Sequence, residues 1–283
     1  MQESLLHRRI DLHTHSNCSD GMLTPTELLT KAKEQEVELF SLTDHDTLTG
    51  LEEAAIAAKA LGIMLVPGVE LSVQWAGIPL HMVVLGFDQS NDVLASIVES
   101  NQKTRLERAK RIAQLLVKQG LPDLYEKAVI EAGPSQIGRP HFARVMVREG
   151  LVKDDNKAFD QYLGNKRLGK LRDVWPNLED IVPDLAVTGC DLVMAHPKRY
   201  PLTLTKLKRL MTHFSQLGGN AMEVSSGNEN PQSVRMLETI ARDLGLGVSA
   251  GSDFHGPYGP WCQVGKFTPI QEASLNPIWH KWL

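Results

Sequence analysis

Two histidines one residue apart, His13 and His15, close the segment IDLHTHS, and an acid, Asp20, follows in the next loop. Ile10 and Leu12 alternate as in a strand, so the histidines occupy positions i and i+2 and face one side. Imidazole is poor material for a strand core, because paired rings leave polar nitrogens that need a partner. The pattern recurs along the chain. SLTDHD ends in Asp44, His45 and Asp46, and LVPGVELS presents Glu70. His81 opens HMVVLGF, DLVMAHPKR presents His196, and GVSAGSDFH presents Asp253 and His255. Divalent cations satisfy gathered imidazoles and relieve repulsion between gathered carboxylates. Nitrogen and oxygen donors without thiolate suit Mn, Zn or Fe, and Glu70 could bridge two ions through its two oxygens. An isolated H-x-H pair is a weak signal, and TDHD alone could be a helix cap. Six histidines and three acids recurring at strand ends carry the metal-centre reading. His7, His213 and His280 sit outside strand ends and read as surface or packing residues. Asp44 alternates away from His45 and reads as orienting a ligand, and Cys18 reads as a small buried residue.

The elements that must position these residues follow a helix-then-strand grammar. TPTELLTKAKEQ opens with a capping box, Thr24 with Glu27, and Pro25 fits the first helical position. TGLEEAAIAAKALG repeats the device with Thr49 and Glu52 and stops at Gly62. TKLKRLMTHFSQLGG spaces Leu207, Leu210, Met211, Phe214 and Leu217 as a helix does and feeds AMEVSSG; VRMLETIARDLG feeds LGVSAGSD. Helices ending in glycine before short apolar strands predict α/β architecture with parallel strands. In parallel α/β barrels the C-terminal strand ends share one face, where active sites lie. The middle of the chain differs. A long charged helix is expected from about Asp92 to Gly120, followed by helices and basic loops. Residues 1–98 and 184–283 are therefore expected to form the body, and 99–183 a mostly helical insertion that contributes to substrate binding.

Composition sets bounds. The chain has 283 residues, 42% hydrophobic and 6% aromatic, with net charge −4. Residues 94–184 carry 16 Lys and Arg against 13 Asp and Glu, a net of +3, so the rest of the chain together carries −7. No apolar run reaches membrane-spanning length and no secretory signal is visible, so no membrane association is expected. Three scattered cysteines argue for a reducing, cytoplasmic setting rather than a disulfide framework.

The motifs DLHTHSNCSDG, TDHD, PGVELS, LHMVVLGF, AHPKR and GSDFHGP together resemble those of the PHP (polymerase and histidinol phosphatase) phosphoesterases. The middle segment, with GRPHFARVMV and YLG, is similar to the subgroup of 3′,5′-nucleoside bisphosphate phosphatases and 5′-to-3′ exoribonucleases. The resemblance implies a distorted (β/α)7 barrel, a helical insertion and three bound divalent metals. By position it gives the first ion His13, His15, Glu70 and Asp253. The second shares Glu70 and adds His81 and His196; the third takes Asp20, His45 and His255. It also implies that Arg139 and His141 face the nucleotide.

Clustered divalent ions suit attack on a phosphoester by a metal-bridging hydroxide, with no side-chain nucleophile. No G-x-S-x-G elbow or P-loop appears. The expected substrate is a nucleoside 3′,5′-bisphosphate or short RNA, with no obligate protein partner. Lys166, Arg167 and Lys170 in GNKRLGK, and Ser226 and Asn228 in SSGNENP, are further substrate-binding candidates. Three competing readings are a phosphatase for another small ester such as histidinol phosphate, a deaminase of the amidohydrolase type, and a non-catalytic metal-bound RNA-binding module.

Overall fold

The computed structural model describes residues 9–164, 167–168, 171, 175–271 and 275–283. Lys166 and Lys170, two of the substrate-binding candidates, and His7 lie outside these residues. Short strands alternate with helices through the first third of the chain. β1 (Ile10–Asp11), β2 (Leu39–Phe40) and β3 (Met64–Leu65) pair in parallel, linked by α1 (Pro25–Glu34) and α2 (Leu51–Leu61). α1 carries the expected capping box: Glu27 N–H donates to Thr24 Oγ1, and Thr24 N–H donates to Glu27 Oε2 at 2.9 Å. α2 does not. Its cap is Gly50, and the Thr49 hydroxyl instead bonds the Thr47 hydroxyl at 2.9 Å. Gly62 ends α2 at φ 67°, a left-handed conformation that favours glycine.

The second sheet is mixed. β4 (Gly68–Trp75) and β5 (Ile78–Leu85) form an antiparallel hairpin, and β5 is also antiparallel to β6 (Asp191–Met194). β7 (Ala221–Ser226) and β8 (Gly247–Gly251) continue it in parallel. The expected parallel pairing holds for β1 to β3 and for β6 to β8 but not at β5. A two-residue turn at Ala76-Gly77 leaves no room for a crossover, so the chain must return antiparallel. His81 lies near the start of this reversed strand, opposite Ser72, and so reaches the same end of the sheet as the strand ends around it.

The two sheets do not close into one barrel ladder. Backbone bonds tie them at two seams. Leu12 N–H donates to Ala250 O, Asp253 N–H to His13 O and His15 N–H to Phe254 O on one side. Asp46 N–H donates to Glu70 O on the other, where His45 and Glu70 form an isolated bridge. Both seams run through the candidate ligands.

α3 (Asp92–Lys118), capped by Asn91, leaves the body and crosses between two hydrophobic cores. Leu94 and Val98 belong to the body's core; Ala109, Ile112, Ala113 and Leu116 belong to a second. At about 1.5 Å per residue it extends for roughly 40 Å. The second core gathers α4 (Tyr125–Ala132), α5 (Arg139–Arg148) and α6 (Asp155–Ala158), centred on the fully buried Phe142. α7 (Leu178–Ala186) returns to the body's core, which α8 (Leu204–Leu217) and α9 (Pro231–Leu244) cover. Among the described residues, no helix is long and apolar enough to cross a membrane.

Candidate metal centre

All nine candidate ligands converge at one end of the strands. His13 Nε2, His15 Nε2, Glu70 Oε2 and Asp253 Oδ1 form one group. The two imidazole nitrogens are 3.1 Å apart, and each lies 3.2–3.4 Å from both carboxylates. Glu70 Oε1 lies 3.0 Å from His81 Nδ1 and 3.0 Å from His196 Nε2. Asp20 reaches His255 Nε2 at 3.4 Å and His45 Nε2 at 3.9 Å, while His45 Nδ1 turns to Glu70 Oε2 at 3.0 Å. Glu70 is thus central, its two oxygens serving different groups of nitrogens.

Sequence-local features bring these atoms together. His13 and His15 project from the end of β1, which lies against β8. Gly251 permits that approach, since a Cβ there would meet His13 N at 2.5 Å. His196 and Asp253 adopt positive φ, 28° and 50°. For non-glycine residues such conformations cost on the order of 1–3 kcal/mol and cluster at functional sites.

The donor set fits cations. His15 Nδ1, Asp20 Oδ1, His45 Nδ1, Glu70 Oε2, His81 Nδ1 and His196 Nδ1 are buried without hydrogen-bond partners. His45 Nδ1 and Glu70 Oε2 lie 3.0 Å apart, His81 Nδ1 lies 3.0 Å from Glu70 Oε1, and Asp20 Oδ1 lies 3.4 Å from His255 Nε2, so these donor atoms crowd the points a cation would occupy. The electrostatics are divided. Burial, then the neighbouring His255, pushes His15 down to about 3; burial likewise pushes His81 down to about 4. Burial opposes charge on His255, but Asp20 and Asp253 raise it to about 10. Burial also opposes charge on Glu70, but His81, His45 and His13 hold its carboxyl well below the usual range.

The positioning groups were not all foreseen. Glu223, on β7, places Oε1 2.6 Å from His13 Nδ1 and accepts the His196 backbone N–H at 2.6 Å through Oε2. Nδ1 of His13 is thereby directed to a carboxylate, leaving Nε2 for the cluster. A charged residue inside the apolar run AMEVSS was the available signal. His255 Nδ1 donates to Asp253 O at 2.9 Å, since a carbonyl only accepts, and this turns Nε2 toward Asp20. Asp44 holds a loop rather than a ring: it accepts from Ser16 N–H and from the Ser16 and Ser19 hydroxyls, just before Asp20. Cys18, expected to be buried, is half-buried.

A cavity of about 340 Å³ opens beside the cluster. Asp20, His45 and His81 line it, together with Arg105, Arg108, Arg139, Phe159 and Trp175, and with Arg199 and Tyr200. Arg105 Nε donates to Asp46 at 2.6 Å, and its guanidinium lies 5.4 Å from the Trp175 ring centre. Arg108, 5.8 Å from the same ring, makes no hydrogen bond or ion pair among the described residues, and its Nε is buried. Burial, then Arg139 and Arg105, pushes Arg108 down to about 9. Asn101, Arg105 and Arg108 share one face of α3 by their spacing of four and three, the sequence signal for this part of the lining.

Arg139 reaches the cavity, its guanidinium 5.7 Å from the Phe159 ring. His141 does not. It is buried with Nδ1 accepting from Gly138 N–H at 2.9 Å, and it borders a separate hollow beside Cys18 and Arg144. Its position as the third residue of α5 turns it back to cap the helix start. Ser226 accepts from Arg199 at 3.1 Å, and Arg199 also pairs with Asp253. Asn228 is exposed and outside the cavity lining.

Residues 11–167 match the PHP domain family. The chain is 39% identical to a 3′,5′-nucleoside bisphosphate phosphatase of Chromobacterium violaceum, covering 96% of this chain and 95% of the relative. It is 36% identical to a 5′-3′ exoribonuclease of Haemophilus influenzae, covering 97% and 99%. A solved structure from C. violaceum, described as an amidohydrolase with bound sulfate and no metal, superposes with a TM-score of 0.89 at 38% identity, covering 96% and 95%. With the motifs gathered at one strand-end cluster and relatives matched over nearly their whole length, the chain belongs to the PHP domain family.

Proposed function

We propose that the chain is a metal-dependent phosphoesterase that removes the 3′-phosphate of nucleoside 3′,5′-bisphosphates. The products are a nucleoside 5′-monophosphate and inorganic phosphate. The same site would release 5′-terminal nucleotides from short 5′-phosphorylated RNA, a phosphodiester standing where the terminal phosphate stands in the smaller substrate. The observation that carries this reading is one cavity with two kinds of lining: imidazoles and a carboxylate of the cluster, and three arginines, Arg105, Arg108 and Arg139. A molecule with two phosphates satisfies both.

The nine ligands would hold divalent ions in the three groups described, with Glu70 shared between two. Three ions, manganese first and zinc or iron as alternatives, follow from the nitrogen and oxygen donors. When bound, such ions make water a competent nucleophile near neutral pH and screen the phosphate oxygens. The chain's own residues do the rest. Glu223 and the Asp253 carbonyl fix imidazole orientation. Arg199, half-exposed in the cavity lining, is placed to donate to a phosphate oxygen. Arg108 offers its guanidinium to the second phosphate, and Phe159 and Trp175 give the nucleoside apolar surface. Water attacks phosphorus, the P–O3′ bond breaks, and the 3′-oxygen leaves as a hydroxyl.

The helical segment 99–183 is read as an insertion in a body formed by 1–98 and 184–283, with the two tied sheets as a distorted barrel wall. The separate second core and the arginines of α3 support this reading. Three free cysteines support a reducing, cytoplasmic setting. No lysine lines the cavity among the described residues, which weighs against a deaminase built on a bridging modified lysine.

The test is phosphate release from adenosine 3′,5′-bisphosphate with metal analysis, alongside adenosine 3′-monophosphate and histidinol phosphate. The bisphosphate should turn over best, and Arg108→Gln should remove most of its advantage over the 3′-monophosphate. Faster turnover of histidinol phosphate, or ammonia release from adenosine, would refute the assignment. Tight RNA binding without turnover under Mn, Zn or Fe would identify a binding module.

A further inference from the structure

Beside the cavity above lies a second hollow, a groove of about 870 Å³ lined by Trp75 and Ala76 at the end of the β4–β5 hairpin and by residues of α8. The hairpin turn divides the two: Ala76 faces the groove and Gly77 the cavity. The division recurs beyond β6, where Tyr200 and Pro201 line the cavity and Leu204 begins the groove. The two spaces are therefore neighbours across a narrow rim.

We propose that this groove is the track for the 3′ side of an RNA strand whose first nucleotide occupies the cavity. The inference rests on the phosphoesterase reading and names its larger substrate. Three observations support it. The first is continuity, since a strand leaving the cavity over Pro201 meets the groove at once. The second is charge. Lys208 and Arg209 on α8 are exposed, line the groove, and make no ion pair among the described residues. Glu179, 3.5 Å from His213 Nδ1, is the one acid in the lining among the described residues, so the two cations outnumber it and phosphodiesters are their natural complement. The third is the Trp75 indole. Its Nε1–H donates to His213 Nδ1 at 2.9 Å, which fixes the ring at the groove's edge as a base-stacking surface. From Leu204 to Gln216 the groove follows α8 for roughly 18 Å, room for a few nucleotides.

The test compares the wild type with Lys208→Glu/Arg209→Glu, both metal-loaded. The substrates are adenosine 3′,5′-bisphosphate and a 5′-phosphorylated octa-adenylate. KM for the octamer should rise about tenfold in the variant, and the bisphosphate KM should stay unchanged. The dependence of log KM for the octamer on log salt should weaken by about 1.4, as expected for two lost phosphate contacts on a single strand. Trp75→Leu should raise the octamer KM alone. An octamer KM unaltered by either variant, or one moved equally with the bisphosphate, would overturn the track. Anisotropy of a labelled octamer reads the groove directly, with or without turnover. If the wild type binds the octamer and the charge variant does not, while no bisphosphate is hydrolysed, the phosphoesterase reading fails and the track stands.

Discussion

The strand-end cluster and the arginine-bearing wall of the same cavity both gather charged groups, yet they are built in different ways. The cluster draws its groups from six separate segments and fixes them through backbone seams, buried hydrogen bonds and two left-handed backbone positions. The wall draws Arg105 and Arg108 from one helix face, steadying Arg105 with the Asp46 carboxylate and setting both beside the Trp175 indole. The first must be satisfied by cations, the second by an anion. The geometry of the metal-facing groups therefore rests on the whole body's tertiary order, whereas the anion-facing groups rest on α3 and the second core. Asp46 joins them, since it follows His45 and holds Arg105.

Changes on either side should break this contrast in characteristic ways. Glu70→Gln should have the largest effect, about a thousandfold loss of turnover or more, with reduced metal content. Elemental analysis and kcat measure it, and undiminished turnover would remove Glu70 from the centre. Phe142→Ala should cost about 3–5 kcal/mol by opening a hole in the second core. Hydrogen exchange should show the loss in α4 and α5 while amides of β6 to β8 stay protected. Equal loss in both places would make the two cores one cooperative unit.

A smaller effect is expected from His141. Burial, then Arg144, holds its pKa down to about 4. Below about pH 6.5 the unfolded chain takes a proton that the folded chain refuses until about pH 4. Stability is therefore fully present above that window and falls through it, by at most about 3 kcal/mol. His141→Asn keeps an acceptor for Gly138 N–H and should flatten this fall in denaturant titrations at stepped pH. A variant curve parallel to the wild type would show that other groups cause the decline. Glu223→Gln should be mildest, about 10–100-fold in metal affinity, because it loosens His13 without removing a ligand. Titration calorimetry with manganese would read it, and unchanged affinity would make Glu223 a packing residue only.

Much of the cluster was legible because its residues are marked locally. A histidine or acid that breaks an apolar run at a strand end is conspicuous, and the i, i+2 spacing of His13 and His15 requires only the pleat. The α1 capping box and the glycine end of α2 were legible for the same reason. What escaped were residues whose partners are distant. Thr49 had the spacing of a cap but found Thr47 first. Arg105 and Arg108 looked like an ordinary charged helix face until Trp175 and the cavity gave them a setting. His141 had the residue type of a substrate ligand but turned to cap its own helix.

By itself the sequence determined which side chains could coordinate ions and which strands would carry them, because residue chemistry and strand periodicity are local properties. Tertiary structure decided that β5 runs backward and so delivers His81 to the cluster. It decided that Glu223 backs His13, and that Arg105, Arg108 and Arg139 line the same cavity as Asp20, His45 and His81. Those outcomes depend on chain return and on packing between segments up to some two hundred residues apart, 210 for His13 and Glu223, and no local pattern encodes them.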